Sequence, residues 1–209
     1  MVPALLVYVV DDEPAILRTV GRLLQLNGFR VETFASSADF LERPRAEGPA
    51  CLILDLQMPG VNGLDLQESL ARKGVVLPII FLSGQGDVPS TARAMRSGAV
   101  DFLVKPVDEP ELLAALARAE AIVTRQLLRR QLAEDTESRL ARLTAREREV
   151  CELVARGLLN KQIAAELGTV EKTVKVHRGR VMRKLNVESV AALVRLLERR
   201  VDDEMPAGR

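Results

Sequence analysis

In the first half of the chain short apolar runs alternate with helical rhythms, and in the second half only the helical rhythm remains. Residues 5–10, LLVYVV, form an unbroken apolar, β-branched run, the pattern of a strand buried on both faces. Leu17, Val20, Leu23 and Leu24 then follow at helical spacing, and the helix they predict ends near Asn27-Gly28. Strand-like runs recur at 30–34, 51–54, 79–82 and 101–104, separated by helical stretches around 36–42, 63–72, 88–97 and from 110 onward. Such alternation predicts a parallel sheet with helices on both faces.

From 109 to 137 the apolar positions 112, 113, 116, 119, 123, 127 and 128 keep a three-to-four-residue spacing, with Pro110 at the tolerated first turn. No Gly or Pro stops the pattern, so one long helix running on as a linker is expected. The alternative is a shorter helix and a partly helical tether. Beyond it, Thr144 and Glu147 have the spacing of a capping box. Val150, Leu153 and Val154 form a buried stripe that Gly157 ends. A second helix starts at Asn160, with Ile163, Ala164 and Leu167 inward, and turns at Gly168. A third is expected over 171–185 and a fourth over 189–199. Two short helices about a tight Gly turn, with a basic helix second, suggest a helix-turn-helix. In that basic helix Val174, His177, Val181 and Leu185 share a packing face. Lys172, Lys175, Val176, Gly179 and Arg183 share a face fit for a major groove, flanked by Arg178, Arg180 and Lys184, which suit phosphates.

Composition narrows the setting. The 209 residues, 47% apolar and 28% charged, are ordinary for a soluble globular chain, long enough for two small domains or one large one. No apolar run approaches the ~20 residues that cross a bilayer, and the run at 5–10 lacks the flanks of a signal peptide. No membrane partner is expected. Cys51 and Cys151 lie far apart in apolar stretches, as reduced core thiols of a cytoplasmic protein do. One histidine and no close Cys/His pair argue against a zinc site. The net charge of +1 hides an asymmetry, since 138–200 carries 15 Lys/Arg against 7 Asp/Glu. The basic end is the part expected to meet a polyanion.

The polar residues of the first half sit at strand ends. Asp11 and Asp12 follow the first strand, Asp55 the third, Ser83 ends the fourth and Lys105 the fifth. Open parallel sheets bind ligands outside the carboxyl ends of their strands, so these side chains should converge. Three close carboxylates need a cation, and hard oxygen donors suit Mg²⁺. Lys105 and Ser83 would serve phosphoryl oxygens. Helix capping would explain one or two of these residues. It does not explain Lys105-Pro106 together with acidic residues after two other strands.

The segments VVDDEP (9–14), LDLQMPGVNGLDL (54–66), LSGQGDVPSTARAMRSGAVDF (82–102) and KP (105–106) resemble the receiver domain of two-component response regulators. The resemblance covers residues 1–120. It implies a flavodoxin-like, doubly wound parallel sheet of order 2-1-3-4-5, the order the receiver fold is known for. It further implies that Asp55 accepts a phosphoryl group from a sensor histidine kinase, and that Asp12, Asp55 and the Gln57 main-chain carbonyl bind Mg²⁺, with Asp11 acting through water. Ser83 and Phe102 take the switch positions, and a cis peptide precedes Pro106. Phe102 lacks the hydroxyl that many relatives carry, so its switching would rest on packing alone. The neutral Gln57 stands where some relatives place a charge.

LTAREREVCELVARGLLNKQIAAEL (143–167) and KTVKVHRGRVMRKL (172–185) resemble the LuxR/FixJ class of helix-turn-helix proteins, over about 143–197. The resemblance implies double-stranded DNA as partner, base contacts from Lys175 and Val176, phosphate contacts from Thr173 and Lys184, and dimerisation through the fourth helix. Val170 and Gly179 depart from the family at an N-cap and at a potential base-reading position. The expected organisation is a receiver at 1–122, a helical linker at 123–138, and a small all-α four-helix DNA-binding domain with a short tail at 139–209. The expected function is a response-regulator transcription factor, a homodimer when phosphorylated, and not an enzyme. A phosphohydrolase of small acyl phosphates would need a second general acid or substrate pocket, which the sequence does not show. A small-molecule sensor would not need phosphoacceptor chemistry.

Overall fold

The computed structural model describes residues 5–43, 48–84 and 88–204, the last six by backbone alone. Residues 85–87 of the receiver-like segment and the tail at 205–209 lie outside the described residues. The chain forms two compact units, Met1–Leu127 and Leu128–Arg209.

In the first unit β1 (Leu6–Val10), β2 (Arg30–Phe34), β3 (Ala50–Asp55), β4 (Ile79–Ser83) and β5 (Asp101–Val104) make a five-stranded sheet. All its neighbours are parallel, and the order is β2-β1-β3-β4-β5. Every residue of β1 and β4 is buried, which explains their unbroken apolar runs. The edge strand β2, RVETF, is mostly exposed and correspondingly polar.

Strand alternation sorts the core into two layers. Val7, Val9, Cys51, Ile53, Ile80 and Leu82 pack with Val20 and Leu24 of α1 (Pro14–Leu26) and with Leu112, Leu116 and Ala119 of α5 (Glu109–Ala141). Leu6, Tyr8, Val10, Leu52, Leu54 and Phe81 pack on the other face with α2 (Ser37–Glu42), α3 (Gly63–Arg72) and α4 (Val88–Arg96), through Phe40, Leu64, Leu66, Leu70 and Ala94. This is the flavodoxin-like receiver fold. Two of its helices carry side-chain caps, Ser36 accepting from the Asp39 N–H and Asn62 from the Asp65 N–H.

The helix α5 is continuous over 33 residues, so the spacing at 109–137 does mark one helix. In the second unit α6 (Ala145–Ala155), α7 (Asn160–Glu166), α8 (Glu171–Leu185) and α9 (Val190–Glu204) enclose Val150, Val154, Ile163, Val174, Val181, Leu185 and Leu193. Thr144 and Glu147 form the expected capping box. The fourth helix extends past Arg199 to Glu204, because nothing in VDDE breaks it.

Candidate phosphoryl-transfer site and DNA-binding helix

Strand register assembles the first site. Val10 is level with Leu54, Asp55 with Leu82, and Ser83 with Val104. Asp11, Asp55, Ser83 and Lys105 therefore end up within about one residue of a common sheet edge, the carboxyl edge. Asp55 is the last residue of β3 itself and is buried, as are Asp11 and Ser83, while Asp12 and Gln57 are exposed. One carboxylate oxygen each from Asp11, Asp12 and Asp55 lies within 4.8 Å of the others.

The Lys105 ammonium enters this group, 2.7 Å from Asp11 Oδ2, 3.0 Å from Glu13 Oε1 and 3.2 Å from Asp55 Oδ1. The cis peptide between Lys105 and Pro106 is present, and the Lys105 N–H donates to the Ser83 carbonyl at 2.7 Å. Burial opposes the lysine's charge, but its contacts with Asp11, Glu13 and Asp55 outweigh this and hold its pKa above the ordinary value. Burial pushes the Asp55 pKa up. The charge of Asp11 adds to this, while Lys105 and the Gln57 N–H pull it down. A buried carboxylate with a raised pKa is one that a cation would stabilise.

The donors fit a hard divalent ion. Asp11 Oδ1 accepts from the Glu13 N–H at 2.9 Å, whereas its buried Oδ2 has no aligned hydrogen bond and meets Lys105 only as an ion pair. An anionic oxygen left in that state, beside two more carboxylates, matches the oxygen-only coordination of Mg²⁺. Phe102 is half-buried, its ring 6.5 Å from that of Phe81.

In the second unit Lys172, Lys175, Val176, Arg180 and Arg183 of α8 are exposed, Thr173 is half-buried, and Val174, Val181 and Leu185 face the core. Val176 is apolar yet 47% exposed, so the core does not account for it. Val170 makes no side-chain cap, and a Cβ on Gly179 would meet nothing within 4 Å. Two expected phosphate contacts have internal partners. Arg178 donates to Asn160 Oδ1 at 3.0 Å, and Lys184 reaches the buried carboxylate of Glu147 at 2.6 Å and the Arg142 carbonyl at 3.0 Å. Glu147 also accepts from the Thr144 N–H and hydroxyl. The bonds from Lys184 and Thr144 lower its pKa to about 2.

Sequence reading missed the second role of Glu147, the contact of Glu13 with Lys105, and the close approach of Gly63 to the Asp55 main-chain oxygen, which leaves no room for a Cβ. The capping box hid the first. The second needed a position after Asp11-Asp12 to be read as reaching another strand's end. The third had only a glycine at a helix start as its signal.

Residues 7–117 match the response regulator receiver domain family, and residues 141–197 match the luxR family of bacterial regulatory proteins. The chain is 42% identical over 193 residues to nodulation protein W of Bradyrhizobium diazoefficiens, spanning 92% of this chain and 85% of that one. It is 42% identical over 199 residues to the response regulator protein TodT of Pseudomonas putida, spanning 95% and 88%. Among solved structures it resembles the response regulator StyR, with TM-score 0.81, 45% identity and coverage of 93% and 98%. Full-length FixJ from B. japonicum gives TM-score 0.58, 34% identity and coverage of 97% and 99%.

The chain belongs to the response regulators that join a receiver domain to a luxR-family DNA-binding domain. It is a transcription regulator of the two-component class, a class of regulators and not of enzymes. The receiver implies a kinase partner and the luxR-family domain implies DNA. Among the described residues no helix is long and apolar enough to cross a membrane.

Proposed function

We propose that Asp55 takes a phosphoryl group from a phosphohistidine of a sensor histidine kinase, and that the acyl phosphate promotes dimerisation and promoter binding. The observation that carries this reading is the Lys105 ammonium held between Asp11 and Asp55 beside Asp12. Asp55 attacks the phosphorus in line, a P–O bond forming as the P–N bond to the histidine breaks. Lys105 offsets charge on one equatorial oxygen, and the Ser83 hydroxyl, at the end of β4, turns to another. Asp12, Asp55 and the Gln57 carbonyl would hold Mg²⁺, with Asp11 reaching it through water. The ion would neutralise the developing negative charge. The phosphoryl group adds about −1.5 to −2 charge. Phe102 then packs further inward beside Phe81, carrying the change to β5 and α4.

In this reading residues 1–122 act as the receiver, 123–138 as the linking part of α5, and 139–209 as the DNA-binding domain. Exposed Lys172, Lys175, Val176 and Arg183 face the major groove and Thr173, Arg178 and exposed Arg180 lie toward the backbone phosphates, while Lys184, expected there from the sequence, is held by Glu147 instead. The α9 helix pairs two copies on adjacent half-sites. Both cysteines are free and buried, as suits the cytoplasm, and burial raises their pKa values to about 12 at Cys51 and about 11 at Cys151.

Incubation with acetyl phosphate and Mg²⁺, followed by intact-mass measurement, tests the chemistry. One acid-labile phosphate is expected in the wild type and none in Asp55→Asn. A phosphate that persists in that variant rules Asp55 out.

A further inference from the structure

Lys105 has three ammonium hydrogens and three carboxylates around it, and the three carboxylates are not equivalent. Asp11 and Asp55 are buried and belong to the group of oxygens able to hold a cation. The Glu13 side chain is 60% exposed, stands outside that group, and donates its main-chain N–H to Asp11 Oδ1. It occupies the N-cap of α1 without making a side-chain cap, so its carboxylate is not spent on the helix. Its bond to Lys105 at 3.0 Å draws the ammonium toward the rim of the site, against the pull of Asp11 at 2.7 Å and Asp55 at 3.2 Å.

That arrangement matters when a cation arrives. A divalent ion on Asp12 and Asp55, with Asp11 reaching it through water, would compete with Lys105 for the charge of Asp11 and Asp55 and repel the ammonium. Without another anion the ammonium must either stay and oppose the ion or leave for solvent. Glu13 offers a third place, close enough for the lysine to remain beside Asp55.

We propose that Glu13 is a positioning residue of the phosphoryl-transfer site: it anchors Lys105 at the rim, so that the cation and the lysine occupy the site together. This rests on the reading of Asp55 as the phosphoacceptor. Glu13 touches neither phosphoryl group nor cation and acts through Lys105.

Calorimetric titration of the full chain with MgCl₂ tests it in five forms: wild type, Glu13→Gln, Lys105→Met, the double variant of these two, and Asp55→Asn. Glu13→Gln is expected to weaken Mg²⁺ binding about two- to fivefold, the fold-change that a partly exposed ion pair is worth. In the Lys105→Met background the same substitution should change affinity less than about 1.5-fold, because its route is gone. An equal loss in both backgrounds would show plain charge attraction and overturn the proposal, as would no loss in the wild-type background. Mg²⁺ binding that Asp55→Asn leaves unchanged would instead remove the underlying reading of the site, and this proposal with it.

Discussion

A Cβ placed on Gly63 would lie 2.4 Å from the main-chain oxygen of Asp55 and 3.0 Å from the Phe81 ring. The start of α3 therefore rests directly on the residue that carries the site, and a backbone atom cannot swing aside as a side chain can. Gly63→Ala should lower receiver stability by about 1–3 kcal/mol and slow phosphorylation of Asp55 as well. Urea unfolding and the rate with acetyl phosphate check both effects. Wild-type values for the two would mean that α3 yields freely.

Glu147 gives the second unit a pH signature. Its pKa, about 2 in the fold, lies below the ~4.3 of an unfolded chain. The folded value is the lower one, so the bonds to Lys184 and Thr144 stabilise fully above about pH 4.3, and that stabilisation is lost as pH falls toward 2. Thermal unfolding at pH 7, 5 and 3 should show a steep acid limb for the second unit. Glu147→Gln should be less stable at pH 7 and flatter below pH 5. Parallel profiles for the two proteins would refute this origin.

Lys184 and Arg180 separate structural from phosphate-binding cations. Lys184 is held by Glu147, whereas Arg180 is exposed. Arg180→Ala should reduce the slope of log affinity against log salt by ~0.9, the share of one phosphate contact. Lys184→Met should leave that slope in place and cost about 1–3 kcal/mol of stability, because it takes the counter-charge from a buried carboxylate. If both slopes fell alike, Lys184 would leave Glu147 for the DNA.

Gly179 sits inside α8 with open space around it. Gly179→Ala should stabilise the second unit by about 0.5–1 kcal/mol, since alanine loses less backbone freedom in a helix. A rise of several degrees in melting temperature is the expected result. An unchanged or lower value would show that the glycine serves the fold.

These sites differ in how far sequence discloses them. The inner strands were legible because both faces of β1, β3 and β4 are buried, leaving apolar runs, while the edge strands β2 and β5 are less buried and carry polar residues. Asp11, Asp55, Ser83 and Lys105 were legible because parallel strands deliver their last residues to one edge. Glu13 was not, since its partner lies across the sheet, and a single Glu before Pro14 reads as a solvated helix start. Lys184 read as a phosphate contact because periodicity places it beside the basic face of α8. Only the packing of α6 against α8 puts the Glu147 carboxylate within its reach. Periodicity assigns a residue to a face, and long-range pairing decides what that face meets.

The central claim is that chemistry at Asp55 controls the DNA affinity of α8. The direct measurement is the affinity of the full chain for a DNA fragment selected with the phosphorylated protein, at fixed salt, before and after treatment with acetyl phosphate and Mg²⁺. The account predicts a rise of about five- to a hundredfold in the wild type and none in Asp55→Asn. Equal affinity of the phosphorylated and unphosphorylated wild type would contradict it.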